Sequence, residues 1–204
     1  IVDSDIFDRL RLIRSPNIGP ISYRQLVARF GTAGKALEAL PDLAARGGGR
    51  KFTAAQPEAI HREIEHLVRV GGRYLFSDGP DYPALLGELE NAPPVLTYKG
   101  NIALATQTNV AMVGARNASA AGCRMARSIA QELGQRDIVV TSGLARGIDA
   151  AAHQGAIATG TIAVIAGGID VVYPPEHVEL QERIAAEGLL IAEMPPGIEP
   201  RARH

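Results

Sequence analysis

The sequence has no tryptophan, and Phe and Tyr make up only 4% of its 204 residues. Any recognition by aromatic stacking must therefore rest on very few side chains. A single cysteine, Cys123, excludes an internal disulfide framework and suits a reducing compartment. Lysine occurs only at positions 35, 51 and 99, and there is no G-x-x-x-x-G-K-[ST] segment. That excludes a P-loop for nucleoside triphosphates. No apolar run approaches the roughly 18 residues of a membrane span. Global charge is also lacking, with 21 Lys+Arg against 22 Asp+Glu. Nucleic-acid binding would need a local basic patch rather than an overall field. The chain opens Ile1-Val2-Asp3-Ser4, without Met and without the basic and apolar regions of a signal peptide. It reads as a fragment of a cytoplasmic protein.

What is present is a hydrophobic content of 46%, enough for a real core and too much for wholesale disorder. The charge divides the chain. Residues 1–75 hold 12 Lys+Arg and 8 Asp+Glu, whereas the rest hold 9 and 14. The first half reads as helical. Ile6, Leu10 and Ile13 share one face, a second helix runs from Ser22 to the stop at Gly31, and a short turn covers Lys35–Leu40. Gly47-Gly48-Gly49 breaks the pattern. Thr53 is placed to cap a helix over 57–70, with Ile60, Ile64, Leu67 and Val68 inward. From about residue 73 short strands take over, at Tyr74–Phe76 and Val95–Tyr98. Strands then alternate with helices: 110–114, 138–141, 161–166 and 189–192 against 119–133, 148–158 and 175–186. This is the pattern of an α/β parallel sheet covered on both faces.

In such sheets, ligands sit beyond the carboxyl ends of the strands. The residues there are distinctive: Gly114-Ala115-Arg116-Asn117-Ala118-Ser119, then Ser142-Gly143-Leu144-Ala145-Arg146-Gly147-Ile148-Asp149, then Gly167-Gly168-Ile169-Asp170 with Tyr173-Pro174. Glycines permit tight turns and close approach of the backbone to a ligand. The helices starting near Ser119 and Ile148 are expected to aim free N–H groups at the crevice, with Arg116 and Arg146 adding fixed cations. Phosphate is the natural ligand of such a rim. The glycines do not form G-x-G-x-x-G, so a dinucleotide fingerprint is absent.

Other chemistries are weaker. Ser142, Asp149 and His153 are close in sequence, yet nothing marks a strained nucleophile elbow. Asp149 and His153 supply only two metal ligands, unless His177 or Glu193 joins them. Cys123 reads as a small apolar residue on a helix. Asn17-Ile18-Gly19-Pro20 either joins two helices plainly or forms a helix-hairpin-helix turn, in which Pro20 removes one donor.

Taken together, Val113 to Gly122, the Ser142 to His153 run, Gly168-Ile169-Asp170 with Tyr173-Pro174, and Glu193 resemble the DNA-processing protein A family, also called DprA or Smf. Asp81-Tyr82-Pro83, Pro93-Pro94-Val95-Leu96, Lys99-Gly100-Asn101, Ile18-Gly19 and Arg29-Phe30-Gly31 fit the same pattern. The resemblance implies a small all-helical, sterile-alpha-motif-like (SAM-like) domain over 1–72. An extended Rossmann-like domain follows over 73–204. It implies sequence-independent single-stranded DNA binding in transformation and recombination, without catalysis, cofactor or metal. It also implies protection of the strand, help in loading a RecA-type recombinase, and a homodimer formed through the Rossmann-like domain. The implied DNA-binding residues are Gly114, Arg116, Ser119, Ser142, Gly143, Arg146 and Gly147. Arg146 stands where Lys is common. The family pattern continues with F-P-x-R-N-R, which this sequence does not reach, and many members add a winged helix. The rival reading is a nucleotide-handling enzyme, similar to nucleoside-monophosphate phosphoribohydrolases. Those carry P-G-G-x-G-T where this chain has Ala166-Gly167-Gly168-Ile169-Asp170.

Overall fold

The computed structural model describes residues 3–46 and 52–200. Helix α1 (Ser4–Ile13) begins at Asp3, whose side chain accepts the Asp5 N–H at 3.0 Å. Its core positions are Leu10 and Leu12, with Ile6 and Ile13 only partly buried. The helix has cores on two sides, which a single stripe does not describe. Helix α2 (Pro20–Phe30) starts two residues before the expected Ser22. Pro20 takes the first helical position, where a missing N–H costs nothing. It ends at Gly31, whose φ of +87° only glycine adopts freely.

Helix α3 (Ala33–Arg46) is far longer than the expected turn and runs through Pro41. An internal proline removes a helical hydrogen bond and normally breaks the element. Here Ala36, Leu37 and Leu40 are buried against Leu12 and Tyr23, and that packing carries the helix past it. The expected Gly47–Gly49 break lies outside the described residues. Helix α4 (Pro57–Arg69) follows Gln56 and has no side-chain cap, so Thr53 does not cap it. Ile60, Ile64 and Leu67 are buried, but Val68 is 70% exposed. The first three span the inward stripe, and Val68 falls past its edge, about 100° round from Leu67 and about 40° beyond Ile64.

Strands β1 (Arg73–Phe76), β2 (Val95–Gly100), β3 (Asn109–Ala111), β4 (Val139–Ser142), β5 (Thr161–Ile165) and β6 (Leu189–Ala192) form one sheet in the order β1-β2-β6-β5-β4-β3. The last four in sequence are parallel. β1 and β2 extend the sheet antiparallel, pairing Leu75 with Leu96 and Tyr98 with Ile191. The fold is thus an extended Rossmann-like α/β sheet preceded by a small helical domain. Its helices are α5 (Ala84–Gly87), α6 (Ala120–Gly134), α7 (Ile148–Ala156) and α8 (Val178–Glu187), with 3₁₀ turns at Ile102–Thr106 and Pro175–His177.

Alternation along β6 sends Leu189 and Ile191 into one core, with Leu75, Leu96 and Ile162. Leu190 and Ala192 enter the other, with Leu67, Leu144, Ile169 and Ile184. One strand departs from the expectation of burial on both faces. β3 is the sheet edge, and all three of its residues are exposed. α6 and α7 pack through Ala126, Ala130, Ala152 and Ala156, where small side chains bring helix backbones close.

The helical domain meets the sheet through Leu10, Ile60 and Ile64 against Val95. Around them Arg9 holds both Asp78 oxygens at 2.7 and 2.8 Å. Arg14 holds both Glu63 oxygens at 3.0 Å, and the Tyr74 hydroxyl donates to Glu63 at 3.2 Å. His66 Nε2 lies 2.8 Å from Asp170 Oδ2.

Candidate functional site

Beyond the carboxyl ends of β3, β4 and β5 lies an open cavity of about 710 Å³. Its walls come from Arg116 and Asn117, from Gly143 to Arg146, and from Val164 to Gly167. Val171, Tyr173, Pro174 and Pro200 close the remaining side.

The loop after β4 is held from several directions. The Ser142 Oγ donates to the Met112 carbonyl at 2.6 Å, tying the ends of β4 and β3 together. Leu144 has a φ of +101°, a left-handed conformation unusual for a branched side chain. That side chain is buried in the core under the sheet. The peptide that follows is fixed at both ends. Asp149 Oδ2 accepts the Ala145 N–H at 3.3 Å, and His177 Nδ1 donates to the Leu144 carbonyl at 2.9 Å. The hydrogen of His177 therefore sits on Nδ1.

The glycines serve packing between loops. A Cβ on Gly114 would lie 2.6 Å from Ile148 Cγ1, and one on Gly143 would lie 2.8 Å from Asp149 Oδ2. Gly147, at φ +76°, leaves no room for a Cβ against the Ala115 carbonyl. Of the seven residues singled out from the sequence, Arg116, Gly143 and Arg146 line the cavity. Gly114, Ser142 and Gly147 shape it from behind. Ser119 caps α6, its Oγ accepting the Gly122 N–H at 3.1 Å.

One electrostatic expectation is narrowed. At the start of α7 two first-turn donors are used inside the protein, and at the start of α6 one is. The Ile148 N–H bonds to the Ala115 carbonyl at 3.3 Å, the Ala150 N–H to the Ala145 carbonyl at 3.2 Å, and the Gly122 N–H to Ser119. The cationic side chains at the cavity are those of Arg116 and Arg146. Arg116 makes no ion pair among the described residues. Arg146 is paired with Glu176 of the Pro175–His177 turn. The backbone around Glu176 and the Arg146 guanidinium hold its carboxyl below the ordinary range. Tyr173, which also lines the cavity, is 58% exposed. Glu176 and His177 carried no local signal in the sequence, because their partners lie about thirty residues upstream.

The weaker chemistries are not assembled. Ser142 is bonded to Met112, Asp149 to Ala145 and His153 to Thr161, so no Ser–His–Asp chain exists. His153 is fully buried, and its Nδ1 lies 2.7 Å from Thr161 Oγ1, which itself donates to the Val140 carbonyl at 2.9 Å. Burial pushes the His153 imidazole down to about 4. Among the described residues, no three His, Cys, Asp or Glu side chains are grouped to hold a metal. No described helix is long and apolar enough to cross a membrane. The Asn17–Pro20 turn borders a smaller cavity of about 180 Å³, lined by Ile18, Gly19 and Pro20 against Pro93–Val95 and Glu193–Pro195.

Comparison with known proteins agrees with this geometry. Residues 73–204 match the family described as DNA recombination-mediator protein A. Residues 3–65 match a DprA-like N-terminal HHH domain, which favours the helix-hairpin-helix reading of the Asn17–Pro20 turn. Protein Smf of Synechocystis is 35% identical over 198 residues, covering 90% of this chain and 49% of the relative. DNA processing protein DprA of Streptococcus pneumoniae is 42% identical over 125 residues, covering 60% of this chain and 44% of that one. The chain thus spans about half the length of the curated relatives it matches. The X-ray structure of the Streptococcus pneumoniae protein superposes with a TM-score of 0.73 at 29% identity, over 100% of this chain and 71% of that chain. A Helicobacter pylori DNA processing protein A structure, described for its single-stranded DNA binding mode, gives 0.57 at 28% identity, over 64% and 60%. With nearly two thirds of its length matching the recombination-mediator family and a helical domain of the same lineage before it, this chain belongs to the DNA-processing protein A (DprA/Smf) family.

Proposed function

We propose that the chain binds single-stranded DNA without sequence preference at the crevice beyond β3, β4 and β5, and does no chemistry on it. Residues 73–204 carry the strand, and residues 1–72 form the helical domain beside it. Arg116 and Arg146 meet phosphates, Gly143 lines the contact surface, and Gly114, Ser119, Ser142 and Gly147 shape the loops that present it. Relatives are described as DNA processing proteins, and one solved relative as binding single-stranded DNA. By extension from the family, the chain acts in the cytoplasm as a homodimer joined through its α/β domain. There it protects incoming strands in transformation and helps a RecA-type recombinase load onto them.

The observation that carries this reading is the pair of arginines on one open cavity that an exposed tyrosine also lines. Cationic grooves with stacking side chains are how single strands are held. Fluorescence anisotropy of a labelled oligonucleotide across a salt series tests it, with a duplex control and Arg116→Ala. Three or four phosphates neutralised on a single strand give a log–log salt slope of about −2 to −3. Arg116→Ala is expected to weaken binding and flatten the slope. Absence of strand binding, or binding indifferent to Arg116, would overturn the proposal. The cavity volume also suits a mononucleotide. Hydrolysis of a nucleoside monophosphate by the chain would install the enzymatic reading instead.

A further inference from the structure

The two arginines of the crevice are in different states. Arg116 is exposed and makes no ion pair among the described residues. Arg146 already holds a carboxylate, that of Glu176, thirty residues later in the chain. We propose that Glu176 is a specificity-determining residue, a resident counter-ion on Arg146 that a polynucleotide displaces more effectively than a free phosphate does. This inference rests on the single-stranded DNA reading of the same crevice.

Glu176 and His177 are neighbours in the Pro175–His177 turn. His177 bonds the Leu144 carbonyl at 2.9 Å, so the turn is fastened to Arg146's own loop by a second contact. The carboxylate is thereby stationed at Arg146 by the backbone rather than by chance of side-chain reach. Both partners remain open to water, with side chains 58% and 47% exposed. An exposed pair of this kind is weak and exchanges readily. A free phosphate or mononucleotide arriving at Arg146 competes one to one with Glu176 and gains little. A strand is different. One phosphate engages Arg116, which has no counter-ion to lose. Its neighbours are then confined near Arg146 at high effective concentration and displace the carboxylate. The site thus discriminates chain length before it meets any base.

The test compares the chain with Glu176→Gln, which removes the charge and keeps the shape, and with Glu176→Ala as a second removal. Anisotropy with a labelled oligothymidylate is expected to show about 2–5-fold tighter binding by Glu176→Gln at low salt. The log–log slope steepens by about 0.7, one further phosphate now counting in full. Inorganic phosphate and thymidine monophosphate compete with the strand at lower concentration in the variant than in the parent. Arg146→Ala weakens strand binding in the parent, and weakens it more in the Glu176→Gln background, where it also removes the whole gain. Equal or weaker strand binding by both Glu176 variants, or an Arg146→Ala loss of the same size in both backgrounds, would overturn the inference. If strand binding still requires Arg116, that result leaves the DNA reading standing. If no variant binds the strand, both fall.

Discussion

At the seam between the helical domain and the sheet, Arg14 grips both oxygens of Glu63, and the same carboxylate receives the Tyr74 hydroxyl. Glu63 is only 11% exposed there. Burial, reinforced by that carboxylate, drives the Tyr74 hydroxyl well above its ordinary range. At the crevice, Arg116 stands open to solvent and Arg146 shares a half-exposed carboxylate. The same residue types serve two ends. Desolvated charge with its partners in place locks packed elements together, because separating it would strand a buried ion. Charge left in water can be exchanged, which is what a ligand site requires. The crevice keeps its rigidity in the backbone instead, through Leu144, Gly147 and the side chains that pin the peptide between Leu144 and Ala145.

Four substitutions put that contrast to the test. The largest effect is expected at the crevice backbone. Gly147→Ala combines a left-handed φ with overlap on the Ala115 carbonyl. It should lower unfolding free energy by roughly 3 kcal/mol or more in urea denaturation. A loss under about 1 kcal/mol would mean the loop relaxes and is not the rigid part.

Next comes His153, buried and neutral behind the crevice, with its imidazole pushed down to about 4. The unfolded chain titrates near 6.5 and so takes up the proton first on acidification. Stability contributed by the neutral form is complete above about pH 6.5 and is lost as pH falls to about 4, an order of 3 kcal/mol. His153→Gln should flatten that stretch of the stability–pH curve. An unchanged slope would show that other groups set it.

At the seam, Arg14→Ala leaves Glu63 unpaired and should cost about 2 kcal/mol, while strand binding at the crevice stays within experimental error. Joint loss of stability and binding would dissolve the distinction between the two regions. The smallest effect is expected where they touch. Asp170 takes the His66 Nε2 with one oxygen and the Gly197 N–H with the other, at 2.8 Å each. His66→Ala should cost only about 1 kcal/mol, because Gly197 still holds the carboxylate. A loss several times larger in thermal denaturation would make this contact the main hinge between the domains.

Much of the α/β half was legible because its strands are short apolar runs and its loops are rich in glycine. β4, β5, α7 and β6 fall within about two residues of their expected bounds. The antiparallel β1–β2 extension was not legible as part of the same sheet, since neither strand alternates and their pairing is set by Leu75 and Leu96 meeting in the core. Pro41 hid the length of α3 because local rules end a helix where tertiary burial of Leu37 and Leu40 continues it. In the site, Arg116 and Arg146 stood out by place, and both line the cavity. Their difference did not, because the partner that separates them comes from a turn with no signature of its own. Ser142 belongs to the loop expected to shape the crevice, and its hydroxyl binds the Met112 carbonyl, a contact that nothing in its neighbourhood announces.

Leu144 has a further consequence. Its backbone asks for glycine, while the core beneath asks for a large apolar side chain, and the position cannot satisfy both. It is a point of local frustration at the lining of the cavity. Leu144→Gly would suit the backbone and still loosen the loop, because the anchor would be gone. Stability and shape are thus traded against each other at one residue. Evolutionary drift there should favour apolar side chains over the residue that the dihedral angle alone would select.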